Sequence, residues 1–128
     1  GVDMFYRPDN NRIIEDRITS FLKHHSLSFK DIDLVILGNN GDEKFDNIYT
    51  HCESSIFSNN TLAYYKHLCG EYDTSTSFAT WVAAKMIKDN MVPGVLLKRG
   101  RIEREIHTVL IYNQFRNINH SLILLGKP

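Results

Sequence analysis

Cysteine is scarce in this chain, with two in 128 residues. Cys52 and Cys69 make no disulfide framework and read as two reduced thiols of a cytoplasmic protein. Sequence does not set their separation, so a pairing between them stays open. An excess of charge of either sign is also lacking. Lys+Arg and Asp+Glu are both 15, a formal net charge of zero. That argues against a nucleic-acid partner, which calls for surplus Lys and Arg to neutralise phosphates. No apolar run approaches membrane-spanning length, and the longest, Leu122–Leu125, is strand-sized, so no membrane partner is expected. There is no internal repeat and no low-complexity tract. No stretch reads as a signal peptide. Gly1 stands without an initiator Met and reads as a tag remnant, which makes the chain a piece of something longer.

What is present suits an ordinary globular fold. A length of 128 residues serves one domain with one modest core, so 1–128 is read as a single domain. Residues 9–25, "DNNRIIEDRITSFLKHH", have helical period, with Ile14, Ile18, Phe21 and Leu22 on one face and Asp9 or Asn10 as cap. "DLVILG" (33–38) is a continuous apolar run, as in a strand covered on both faces. Asn39, Asn40 and Gly41 are turn residues. A helix from about Phe45 to Phe57 would place Phe45, Ile48, Cys52 and Ile56 together. "LAYYKH" (62–67) reads as a short strand. A helix capped by Thr74 to Thr76 runs to about Asp89, with Phe78, Val82 and Met86 on one stripe and Trp81 beside it, as core or dimer surface. Pro93 and Gly94 end that unit. "HTVLIYNQF" (107–115) and "HSLILLG" (120–126), linked by "RNIN", read as an antiparallel hairpin. The expected order is α-β-α-β-α-β-β.

Three segments resemble, in order, the C-terminal half of a β-ketoacyl synthase. "RIIEDRITSFLKHHSLSFKDIDLVILGNNGDEKFDNIY" is similar to that family's helix, "DIDYVEAHGTGT"-like strand and "GDPIE"-like helix start. "YYKHLCGEYDTSTSFATWVAAKMIKDNMVPG" resembles its "KSxxGHxxGAAGxxxxxxxxLxxxxxxxPP" segment, and "LIYNQFRNINHSLILL" its "SNSFGFGGTNAxLVL" hairpin. The resemblance runs from about Ile13 to Leu125. It implies an α/β, thiolase-like half: a mixed sheet of about four to five strands with helices packed on it, ending in an antiparallel hairpin. Two such halves stack as a five-layer sandwich. The other half, which bears the family's nucleophilic Cys, is not matched.

The family's condensation needs two His side chains that donate hydrogen bonds to the thioester oxygen as the enolate forms. At the matching positions stand Leu37, before Gly38, and Glu71, after Gly70. An isobutyl group donates nothing, and an ionised carboxylate only accepts. Lys66 matches the family's Lys. Phe115 and Asn119 match the hairpin, but its glycines are replaced by Arg116 and Asn117, which would alter the pocket wall. Gly38, Gly70, Phe115 and Asn119 are therefore the expected substrate-pocket residues.

The resemblance thus implies a non-catalytic partner, similar to a chain-length factor, in fatty-acid, polyketide or polyene biosynthesis. Its expected partners are an acyl carrier protein, with a ketosynthase, a separate N-terminal half or a second copy covering its open face. No cofactor is implied, since acyl groups arrive on the carrier protein or coenzyme A. The alternative is an active synthase or acyltransferase component with altered residues. There, Glu71 would act as base and Cys69 as nucleophile, its thiolate supported by His67 or Lys66. His51, Cys52, His67 and Cys69 are good zinc-ligand types, but their spacing fits no finger or ribbon, so no metal is expected. His24 and His25 suit a helix C-terminus; His107 and His120, at strand ends, would face solvent or the hairpin partner. "LLKRGRIEREIH" (96–107) reads as a solvated loop or short helix, or as a docking patch of Lys98, Arg99, Arg101 and Arg104 for an acidic carrier protein.

Overall fold

A computed structural model describes all of residues 1–128. The chain is α/β, a six-stranded mixed sheet with helices on both faces. Its strands are β1 (Val2–Tyr6), β2 (Leu34–Leu37), β3 (Leu62–Tyr64), β4 (Leu97–Arg99), β5 (Thr108–Phe115) and β6 (Asn119–Gly126). Its helices are α1 (Asn11–His24), α2 (Glu43–Ser54), the single turn α3 (Lys66–Cys69) and α4 (Ser75–Asp89). The strand order is β1-β6-β5-β2-β3-β4. The three central strands are parallel, with Val35 opposite Leu110 and Leu62. β6 is antiparallel to both β5 and β1, and β4 is antiparallel to β3.

The expected elements from 9 to 126 form close to their predicted places, and the terminal hairpin pairs as expected. Asn10 caps α1, its side chain accepting from the Ile13 N–H at 3.1 Å. Two short strands, β1 and β4, escape the sequence pattern and widen the sheet from the four strands of the expected order to six. β1 alternates exposed and half-buried residues, with only Phe5 and Asp3 turned inward, and β4 has three residues. The strand expected over 62–67 stops at Tyr64, and Lys66 begins α3.

Alternate residues of the central strands feed two cores. Val35, Leu37, Leu110, Tyr112 and Leu122 meet α1 and α2. Leu34, Ile36, Ala63, Val109 and Ile111 meet α4. The molecule is thus three layers: the α1/α2 pair, the sheet, and α4. Every residue of β2 is buried, as its unbroken apolar run implies. Burying each such Leu or Ile side chain contributes about 1.5–3 kcal/mol.

The connections create a crevice. β2 reaches β3 on one side through α2, and the chain then reaches β5, on β2's other side, by way of α4. The carboxyl ends of β2 and β5 therefore part at a topological switch point, where open α/β sheets hold their ligands.

Candidate functional site

At the end of β2 the chain turns through Gly38, Asn39 and Asn40. Gly38 is required by close approach. A Cβ there would lie 2.2 Å from Asn113 Oδ1 and 2.7 Å from the Tyr49 hydroxyl. Those groups belong to a hydrogen-bonded chain across the strand ends. The Gln114 N–H donates to Tyr49 Oη at 2.8 Å, Tyr49 donates to Asn113 Oδ1 at 3.4 Å, and Asn113 Nδ2 donates to Thr76 Oγ1 at 2.9 Å. Burial holds the Tyr49 hydroxyl well above its usual pKa, so it stays a donor.

A second group lies beside it. Lys66, whose side chain is 1% exposed, reaches the Glu71 carboxylate at 2.6 Å. Asn40 Nδ2 donates to the same oxygen at 2.9 Å. Glu71 thus ties the segment after α3 to the loop after β2. Two further polar atoms at this end, Asn39 Oδ1 and the Tyr65 hydroxyl, are buried without a hydrogen-bond partner. Burial pushes the Tyr65 hydroxyl up to about 12; Ser75 and Thr76 lie near enough to oppose the rise but not in hydrogen-bonding geometry. A buried unpaired polar atom costs about 1–3 kcal/mol, so this end of the sheet is where the fold departs from maximal stability.

The cleft above these groups has a volume of about 520 Å³. Glu71, Thr76, Asn113, Phe115, Asn119 and His120 line it. The structure therefore brings together three of the sequence-predicted residues, Glu71, Phe115 and Asn119, with Gly38 and Lys66 directly behind. Leu37 is not at the cleft; its side chain is fully buried on the α1/α2 side. Gly70 is left-handed, with φ +79° and open space around it, which makes it a turn rather than a pocket wall.

Cys69 and His67 are not a pair. His67 stacks on Tyr64 and its Nε2 donates to the Val95 carbonyl at 2.8 Å, while Cys69 Sγ lies 3.4 Å from the Gly70 carbonyl. His51 is remote, held by Glu15 between α1 and α2. Cys52 is buried in that same layer, its thiol pushed up to about 12 by desolvation. The four residues of zinc-ligand type thus sit on opposite faces of the sheet.

His120 borders the cleft, but its ring lies on the α1/α2 side of the sheet, the side of Phe5, Tyr112 and Leu122. Rather than facing solvent it is buried, stacked on Phe5, and turned to its hairpin partner. Its Nε2–H donates to Asn117 Oδ1 at 3.1 Å, which leaves Nδ1 to accept from the Tyr112 hydroxyl at 3.0 Å. Desolvation lowers its pKa to about 4. It is neutral, and both nitrogens are occupied.

Sequence reasoning missed Asn113, Tyr49, Thr76 and His120 as site residues. One signal was available: Asn113 is a polar break in an apolar strand that faces core on both sides. The basic patch is not free either. Lys98 pairs with Glu53, Arg101 with Glu103 and Arg104 with Asp33, while Arg99 donates to the carbonyls of Glu53 and Phe57.

No known family model matches the sequence, and no curated protein matches it. No helix is long and apolar enough to cross a membrane.

Proposed function

We propose that the chain is a β-ketoacyl-synthase-like subunit that does not itself condense acyl groups. It works beside a ketosynthase or a separate N-terminal half, on acyl chains delivered by a carrier protein, as a chain-length factor does. The observation that carries this reading is the state of Glu71. Its carboxylate is held by Lys66 and Asn40, and the resemblance matches this residue to the imidazole that would have to donate to a nascent enolate. A carboxylate so placed accepts hydrogen bonds and repels the developing oxyanion. The one histidine that borders the cleft turns its ring to the other side of the sheet with both nitrogens engaged, and Leu37 offers no donor. The mixed sheet and its terminal hairpin are those the resemblance implies.

The test is incubation of the chain with acyl- and malonyl-loaded carrier protein. The expected result is neither condensation nor malonyl decarboxylation above the rate without protein. Turnover that disappears with Glu71→Gln or Cys69→Ala overturns the reading in favour of an active component with altered residues.

A further inference from the structure

Of the nine large hydrophobic side chains left exposed by the fold, four border a groove against α4 and three more, Met4, Tyr72 and Phe115, the cleft beside it. Val2, Met4 and Tyr6 alternate along β1 with Phe5, which packs on the α1/α2 side, so they point the other way. Trp81 of α4 is 60% exposed and borders an apolar groove with Leu68, Met91 and Val95. Tyr72 and Phe115 share the cleft with Met4. A patch confined to one face marks a protein interface rather than scattered surface. The coverage of the sheet explains it. α4 packs over β5 and β6 and closes the core formed with β2 and β3, while no helix covers β1 on this side.

We propose that a second copy of this chain covers this face, with the two α4 helices antiparallel about a two-fold axis near Trp81. Charges at the two ends of α4 select this occupant, Asp73 in the turn just before it and Lys88 in its last turn. Asp73 lies eight residues before Trp81 and Lys88 seven after it. Lys85 is held by Asp89 within the helix, whereas Asp73 and Lys88 form no ion pair within the chain. Antiparallel pairing about Trp81 brings Lys88 of each copy to the partner's Asp73, so both charges are answered twice by one symmetry operation. Trp81 stands at the centre, where an aromatic anchor carries most of the binding. Ser77 and Ala84, exposed on the same face of α4 as Trp81, let the helices approach. The helix dipole favours the same charge order inside one chain, so the decisive evidence lies between chains. The dimer does not depend on the ketosynthase reading, although two copies sharing their α4 layer would make the five layers that reading implies.

Sedimentation of the full chain at micromolar concentration, without acyl substrate, reads the outcome apart from any activity. A dimer is expected. Trp81→Glu weakens it at least ~30-fold with an unchanged circular dichroism spectrum, because Trp81 supports little of the single chain. Lys88→Glu and Asp73→Lys each weaken self-association about tenfold, and mixing the two variants restores a heterodimer of wild-type strength, since both crossed pairs then attract. A chain that stays monomeric, a dimer indifferent to Trp81→Glu, or mixed variants no tighter than either alone overturns the proposal. So does a different protein that takes this face in preference to the second copy.

Discussion

Gly38 sits where any side chain collides with two others, and both belong to the hydrogen-bonded chain behind the cleft. Gly38→Ala must displace Asn113 or Tyr49, which are packed against buried neighbours. The expected cost is about 1–3 kcal/mol, read as a lower urea midpoint at unchanged slope. An unchanged midpoint would mean that the strand ends are loose. His120 makes a second residue-scale prediction. Its folded pKa is near 4, below the ordinary 6.5, because burial disfavours the charged ring. The unfolded chain therefore takes up this proton first as pH falls. Stability is flat with respect to this group above about pH 6.5 and declines between there and pH 4, by about 1–2 kcal/mol after allowance for solvent near the cleft. A proton NMR titration of the ring should show no midpoint above pH 5. A midpoint near 6.5 would show that the Tyr112 and Asn117 bonds are not maintained. At this scale the sequence pointed to Glu71, Phe115 and Asn119, which line one cleft, and to Leu37, which is buried away from it; it was silent about His120, because a strand-end histidine looks the same whether its ring turns outward or stacks on a phenylalanine from the far end of the chain.

Elements reveal a different balance. The segment after β4 has no regular structure of its own and is held by Asp33, whose side chain is 5% exposed. That carboxylate accepts from the His107 and Thr108 N–H groups, both at 2.9 Å, and from Arg104. Asp33→Ala leaves two backbone donors unanswered at the start of β5. A loss of about 2–4 kcal/mol is expected, with faster tryptic cleavage at Arg101 and Arg104 than in the wild type. Equal cleavage would mean that Ile102 and Ile106 hold the strap unaided. The hairpin turn gives the opposite sign. Arg116 and Asn117 have φ +51° and +54°, the backbone that an Asn-Gly pair adopts with least strain. Arg116→Asn should stabilise by about 0.5–1 kcal/mol and raise Tm by about 3 °C. The long helices and the three buried strands were legible because a 3.6-residue stripe or an unbroken apolar run is a local property. β1 and β4 were not: three- and five-residue strands exist only by virtue of the neighbour they pair with. The strap from 100 to 106 was legible as charged and irregular, but the Thr61 hydroxyl's bond to the Arg101 carbonyl and the Arg104–Asp33 ion pair join positions 40 and 71 residues apart, which no local pattern encodes.

Across the whole molecule, the sheet is a wall between two chemistries. The α1/α2 side is closed over its core, and the α4 side carries the cleft and most of the exposed large apolar groups. Each cysteine lies on a different side. Cys52 is buried among α1 and α2 with its thiol pushed up to about 12, where the reactive thiolate is negligible at neutral pH. Cys69 packs at the edge of the α4 layer and is partly exposed. A bond between them would have to pass through the sheet, so oxidation cannot join them without unfolding. An aromatic disulfide reagent should therefore titrate one thiol per native chain and two in denaturant, and Cys69→Ser should abolish the native reaction while leaving one thiol in the unfolded protein. Two thiols reacting at equal rates in the native state would mean that the α1/α2 layer opens readily. That would also weaken the stability argument for Tyr112 and His120, which rest against the same core.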